Sequence, residues 1–333
     1  NSSGKLPIAA DSTRIPPVPA VQLQGYDDRH MREAPAQPAA GRVYLILALA
    51  VVAISLSAIF IRMAQAPGVV IASYRMVFAA LVMLPLALRR GERGRFTGRS
   101  VLLALAAGFF LALHFATWIS SLSYTSVAAS VSLASTTPLW LALLSWLFLG
   151  RPPSLAVLFG MLVAVAGGAI IGFDDLRGGG TSAFGNLLAL TGAVSMAAYL
   201  LLGRSAQLHG LSLPQYAGAA YTAAALLLLP APALFGYSYT DYPAATFGWI
   251  LLLALVPQLI GHNGVNYAIK RLNPSVVATA TLLEPVGAAL LAWLLLAEVP
   301  GRITLIGALF LLIGVMITAR QSGRENLHIP TRR

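Results

Sequence analysis

Ten apolar stretches dominate this sequence, at about residues 43–62, 68–88, 100–121, 125–148, 154–172, 184–203, 213–235, 247–268, 274–296 and 302–319. Each holds about 18–24 residues, enough for an α-helix to cross the roughly 30 Å hydrocarbon core of a bilayer. Lipid offers backbone amides no hydrogen-bond partners, so a spanning chain must satisfy them internally, as a helix does. The fold class that follows is an all-α membrane protein with ten transmembrane helices. Composition points the same way: 58% of residues are hydrophobic and 10% charged, where a soluble domain is nearer about 45–50% and 25%.

Breakers separate many of the spans: Ala66-Pro67-Gly68, Arg151-Pro152-Pro153, Gly178-Gly179-Gly180, Asn273-Pro274 and Pro300-Gly301. Only Leu122-Ser123-Tyr124-Thr125 lacks a strong one. Residues 1–41 are polar, rich in Pro, Ala and Gln, and without helical period, so they are expected to form a disordered cytoplasmic tail. They contain no apolar core of a signal peptide. Met31 is a candidate natural start, with the preceding residues an upstream extension. Residues 321–333 form a second cytoplasmic tail.

The net charge of +11 lies in loops and tails, so it sets topology rather than marking a nucleic-acid surface. With both termini cytoplasmic, the inner loops hold nine basic residues: Arg89, Arg90, Arg93, Arg95, Arg99, Arg151, Arg204, Lys270 and Arg271. The outer loops hold three, Arg62, Arg177 and Arg302, together with Asp174, Asp175 and Asp241. That bias predicts both ends inside.

The second half of the chain repeats the first. A shift of 147 residues places Pro138 on Pro285, Trp146 on Trp293, Pro153 on Pro300, Gly160 on Gly307 and Gly167 on Gly314. His114 falls on His262 with a shift of 148. Two repeats of five spans each are implied, at 42–173 and 184–320. Five is odd, so the second copy enters the membrane from the opposite side. Such inverted repeats place a transporter's substrate site near the midplane, between the halves.

Polar residues inside the spans are the candidate site. Glu284 sits near the middle of the ninth span, where a carboxylate costs about 2.5–3.5 kcal/mol to insert. It is a substrate or coupling group, or a structural acid bonded to a neighbouring helix. Arg75, about seven residues into the second span, attracts a substrate carboxylate, bonds to carbonyls or Glu284, or snorkels to the surface. His114 and His262 occupy similar depths in opposed spans and serve as ligands to a carboxylate or as satisfied core residues.

Gln258, His262 and Asn266 fall at i, i+4 and i+8, with Asn263 beside them, which reads as a cavity stripe or as interhelical glue. Trp118 lies four residues after His114, placed to stack on an apolar solute or to anchor at the interface. Tyr74, Phe78, Trp140, Tyr199, Tyr221 and Tyr267 complete a candidate aromatic wall. Ser126, Ser130, Ser132, Ser135, Thr136 and Thr137 precede Pro138 in the fourth span, lining a neutral cavity or bonding back to their own helix. Pro138 and Pro285 are candidate hinges. Gly160, Ala164, Gly168 and Gly172 form a row of small residues for close helix packing.

Several chemistries are excluded. The chain has no cysteine, hence no disulfide, thiolate metal site or thiol nucleophile. It has no GxxxxGK and no HExxH, and Glu284 is the only acid well inside a span. Neither a cofactor nor a metal is implied, and no enzyme activity is indicated.

Leu283-Glu284-Pro285-Val286 running to Ala292-Trp293-Leu294-Leu295 and Glu298, Tyr74-Arg75 with Ala79-Ala80-Leu81, and the glycine-rich fifth and tenth spans carry a resemblance. Over about residues 42–320 the chain resembles the drug/metabolite transporter superfamily, in its ten-helix, two-repeat (EamA-type) branch. Within it the chain looks most like bacterial exporters of aromatic amino acids. The resemblance implies spans 1–4 and 6–9 around a central cavity, with spans 5 and 10 at the side. It implies a bacterial inner-membrane location and alternating access. One departure is Gly150-Arg151, where first repeats of the family often carry Gly-Glu. Spans 43–62 and 184–203 also lack the first-span acid of the small proton-coupled drug exporters.

The reading is an exporter of amino acids, aromatic and other neutral ones, and of related small metabolites, without proton coupling and acting as a monomer or homodimer in the lipid bilayer. Rival readings are proton antiport of another metabolite or drug class, a nucleotide-sugar or triose-phosphate carrier, a receptor or channel, and an intramembrane lipid enzyme.

Overall fold

A computed structural model describes residues 40–89, 96–150, 152–177, 181–269, 272, 277 and 280–327. The expected tail at 1–41 lies outside these, except that Ala40 and Gly41 already open the first helix. Of the tail at 321–333, residues 328–333 also lie outside; its first seven residues continue the last helix to Leu327.

The described residues form helices and their connections, with no strand. In chain order they are α1 Ala40–Ser55, α2 Ser57–Ala64, α3 Gly68–Ala87, α4 Gly98–Ser121, α5 Val127–Ala134, α6 Thr137–Leu149, α7 Leu155–Arg177, α8 Thr181–Leu208 and α9 Leu213–Leu228. There follow α10 Ala231–Leu234, α11 Ala244–Leu253, a π-helical stretch Ala254–His262, α12 Asn263–Ile269, α13 Leu283–Leu296 and α14 Arg302–Leu327. Seven continuous stretches are long and apolar enough to cross a membrane: Gly41–Ala64, Gly68–Ala87, Gly98–Ser121, Val127–Phe148, Ser182–Leu208, Leu213–Leu234 and Ala244–Val265. Three shorter apolar helices, Leu155–Ile171, Leu283–Leu296 and Arg302–Thr318, fall in the remaining apolar stretches.

Local chemistry explains several boundaries. Thr97 caps α4 through a reciprocal pair with Ser100, and Ser212 caps α9 with Gln215 in the same way. Gly150 closes α6 with a left-handed residue, φ 64°, a conformation that costs glycine little. The fourth span breaks at Ser135–Thr136, just before Pro138, which sits in the first turn of α6 where its missing amide is not needed. A matching interruption at Leu282 precedes Pro285 in α13.

Packing interleaves the two halves of the chain. α4 runs along α8 and α9, α3 along α9, and α1 along the π-helical stretch, α12 and α13. α7 and α14 pair closely with each other. A Cβ at Gly160 would lie 2.7 Å from the Gly314 carbonyl, and one at Gly307 2.8 Å from the Gly167 carbonyl. The small-residue row at this contact therefore runs through Gly160, Ala164 and Gly167. Gly168, expected in that row, instead faces the Leu133 side chain.

Candidate substrate site

The centre of the bundle is organised around one cation. Arg75, on α3, is completely buried. Its Nη2 donates to Gln258 Oε1 at 2.7 Å, and its Nη1 donates to Ser57 Oγ at 3.4 Å. The guanidinium carbon stands 4.1 Å from the centroid of the Phe115 ring, in cation–π geometry. Its Nε finds no acceptor among the described residues. Of the alternatives open for Arg75, snorkelling is not what the structure shows. The guanidinium stays in the core and binds neutral acceptors, and it makes no ion pair among the described residues.

Around Phe115 the two histidines meet. The His114 ring lies 4.8 Å from Phe115, and the His262 ring 6.5 Å from it on edge. His114 Nδ1 is 2.8 Å from the Gly192 carbonyl, so Nδ1 carries the proton in that bond. Trp118 stacks on His114 with rings 5.7 Å apart and 9° from parallel, and its buried Nε1–H has no acceptor among the described residues. Asn263 Nδ2 reaches only the Met83 sulfur, at 3.9 Å, while its buried Oδ1 receives no donor there.

Buried polar groups also stand on α8 and α9. Tyr221, on α9, is almost completely buried. The Tyr216 hydroxyl donates to the Tyr199 carbonyl at 3.3 Å, with the two rings 5.8 Å apart. Arg75, Gln258, Tyr221, Tyr199 and Tyr216 are all buried.

Other expected site residues lie elsewhere. Tyr74 donates to the Tyr239 carbonyl at 3.0 Å and packs against Phe78 and Phe247, beside the connection between α10 and α11. Trp140 donates to Thr136 Oγ1 at 3.0 Å. The hydroxyls ahead of Pro138 mostly bond back to their own helix. Ser135 donates to Val131 O, Thr136 to Leu133 O and Thr137 to Ala134 O. That answers the carbonyls a proline break frees, the second of the two roles open for them. The side chain of Asn266 lies outside the described residues.

Gln258 and His262, expected in one vertical row, face Arg75 and Phe115 respectively. Arg75 and Phe115 are themselves in contact, so the two residues face one cluster although the winding there is π-helical. Ser57 is a member of the cluster that a search for long polar side chains inside spans does not single out.

Buried polar groups on broken, membrane-length helices, gathered between two halves of a chain, define the class of polytopic membrane transporters. The EamA-like transporter family model matches residues 41–173 and 183–320, and the chain belongs to that family, within the drug/metabolite transporter superfamily. One relative, the "Probable terminal-alkyne amino-acid exporter" of Streptantibioticus cattleyicolor, is 31% identical over 201 residues. That match covers 59% of this chain and 66% of the relative, just under two thirds of its length. A solved crystal structure is similar in fold at TM-score 0.58 and 19% identity, covering 85% of this chain and 100% of that one.

Proposed function

We propose that this protein exports amino acids, aromatic and other neutral ones, and related small metabolites across the bacterial inner membrane. Two inverted five-helix repeats, 42–173 and 184–320, rock about the Arg75 cluster, with Pro138 and Pro285 as bending points. Both termini are cytoplasmic, and the end of the bundle carrying Arg62 is outside.

The observation that carries this reading is the state of Arg75. A guanidinium has five N–H donors and suits a carboxylate in bidentate geometry. Here it is held by two neutral acceptors, with a donor to spare and no direct carboxylate partner among the described residues. A zwitterionic solute offers its carboxylate to Arg75 and its ammonium to Glu284. Trp118, His114 and Phe115 supply a wall for the side chain. The exporter from Streptantibioticus cattleyicolor supports the same substrate class.

The test is exchange in proteoliposomes loaded with unlabelled amino acids, following entry of labelled tryptophan, phenylalanine or threonine with and without a pH gradient. Accelerated entry that ignores the gradient is expected. Entry that tracks the gradient would favour proton antiport, for which Glu284 and the two histidines near Arg75 are the available groups. Absence of entry with well-folded protein would refute the amino-acid assignment. Glu284→Gln is expected to impair exchange under either scheme, and normal exchange by a folded Glu284→Gln protein would remove Glu284 from the path.

A further inference from the structure

A second charged cluster closes one end of the bundle. Arg62, in the last turn of α2, donates through Nη2 to the Thr125 carbonyl at 3.0 Å and pairs with Glu298 Oε2 at 3.4 Å. Glu298 Oε1 accepts the Val127 amide at 2.6 Å. The pair thus ties the end of α2 and the start of α5 to the residue just past α13. Beside it lies a cavity of 380 Å³ lined by Arg62, Gln65, Gly68, Ile71, Ile119 and Ser123, among others.

Three features make this more than a surface ion pair. Both observed bonds use the same nitrogen of Arg62, and its Nε has no acceptor among the described residues, so most of the fork is uncommitted. The side chains are 34% and 24% exposed, and a partly solvated pair of this length is weak, as a contact broken in every cycle must be. Gln65 and Ala297, the non-glycine residues with left-handed backbones among the described residues, adjoin the pair, at φ 48° and 54°. Such backbones persist where surrounding structure fixes them.

The positions that correspond to this pair in the other half of the sequence are both arginine. Arg62-Met63-Ala64-Gln65 returns 142 residues later as Arg204-Ser205-Ala206-Gln207, and the residue 147 before Glu298 is Arg151. Ala297 likewise corresponds to Gly150, which takes the left-handed turn freely.

We infer that the cavity is an exit subsite for the carboxylate of the transported solute. There Arg62 exchanges Glu298 for that carboxylate and so releases α13 from α2, while Glu298 stays bonded to the start of α5. The inference rests on the proposed export of amino acids. A cavity of this size accepts a small solute. Arg62 supplies the bidentate partner for the carboxylate, with Gln65 and Ser123 beside it in the lining. Glu298, once displaced, keeps the Val127 amide and is partly solvated, so it is not left bare.

The test uses reconstituted full-length protein carrying Ser55→Cys as its single thiol, since the chain has no cysteine of its own. Ser55 is buried between α1 and α13, where its hydroxyl contacts the Glu284 carbonyl. An impermeant thiol reagent is applied from the Arg62 side, and amino-acid exchange is measured in parallel. Glu298→Gln is expected to raise labelling of that thiol severalfold and to lower the KM measured from that side, because the competing carboxylate is gone. Arg62→Gln is expected to raise labelling too, but with a KM severalfold higher. The charge swap Arg62→Glu with Glu298→Arg should return labelling to its starting level while exchange stays slow, since residue 62 then repels the solute. Arg62→Lys, which keeps charge but not the fork, should raise KM with little change in labelling, and it serves if Arg62→Gln does not fold. A swap that restores both labelling and exchange would reduce the pair to a latch and overturn the subsite. Unchanged labelling in Glu298→Gln would overturn the clamp itself. Failure of the parent protein to exchange any amino acid would refute the export reading instead, and it would show before any variant was made.

Discussion

Arg75 ties α2 and the π-helical stretch to α3, and in the proposed transport it also meets the solute. Its bond to Gln258 is short and wholly buried, so deleting the acceptor and adding a charge should have different effects. Gln258→Leu leaves a buried donor of Arg75 unpaired, a loss of about 1–3 kcal/mol. The expected readout is a lower melting temperature in detergent. Gln258→Glu keeps the shape and gives the guanidinium a permanent carboxylate. Its stability is expected to hold, while affinity for an amino acid falls about ten-fold, equivalent to about 1.4 kcal/mol. Unimpaired exchange by Gln258→Glu would show that Arg75 does not bind the solute. The sequence marks Arg75, His114, His262 and Gln258 because polar groups are costly in an apolar span. It does not mark Ser57 or Phe115. A serine bonding to its own helix and a phenylalanine in a core look alike whether or not a cation sits beside them. The resemblance marks Glu298, but nothing in the sequence pairs it with Arg62, since that contact depends on three segments meeting at one end of the bundle.

At the level of helices, proline and glycine carry most of what could be foreseen. The breaks ahead of Pro138 and Pro285 follow from proline's missing amide, and they recur at equivalent places in the two halves. The π-helical stretch Ala254–His262 is different. Pro257 signals a disturbance there, but widening and kinking both accommodate a proline, and packing against α1 decides between them. The glycine row of α7 shows the same limit. A period of four selects Gly168, whereas the α14 contact selects Gly167. Gly314→Ala tests that contact, because its new methyl would meet the backbone of Gly160 and Ala164. The expected loss is about 1–3 kcal/mol, as for other overpacked interfaces. Gly248→Ala, on α11 with nothing within 4 Å of the added carbon, is expected to gain up to about 1 kcal/mol from helix propensity. Equal melting temperatures for the two variants would mean that α7 and α14 do not rely on that close approach.

Across the whole molecule, the distribution of charge gives the bundle a direction. One end carries Arg89, Arg99, Arg204 and Arg320 among the described residues. The other carries Arg62 and Arg302, offset by Asp241 and by Glu298. Basic residues near span ends are retained in the cytoplasm, so the first end is expected to face inward. In the proposed cycle, clamp and charge asymmetry act in the same direction. The Arg62 end is tied by an acid–base pair, while the equivalent positions at the Arg89 end, Arg151 and Arg204, are both basic. An exporter that rests closed to the outside and loads from the cytoplasm needs that inequality. Single cysteines decide the orientation on which it depends. Thr240 is exposed on the connection between α10 and α11, and Leu208 is exposed at the end of α8. In intact cells an impermeant thiol reagent is expected to label the Thr240→Cys variant at once and the Leu208→Cys variant only after the membrane is permeabilised. The reverse pattern would turn the bundle over. It would make the Arg62 clamp a cytoplasmic latch and require import, with loading at the unclamped end.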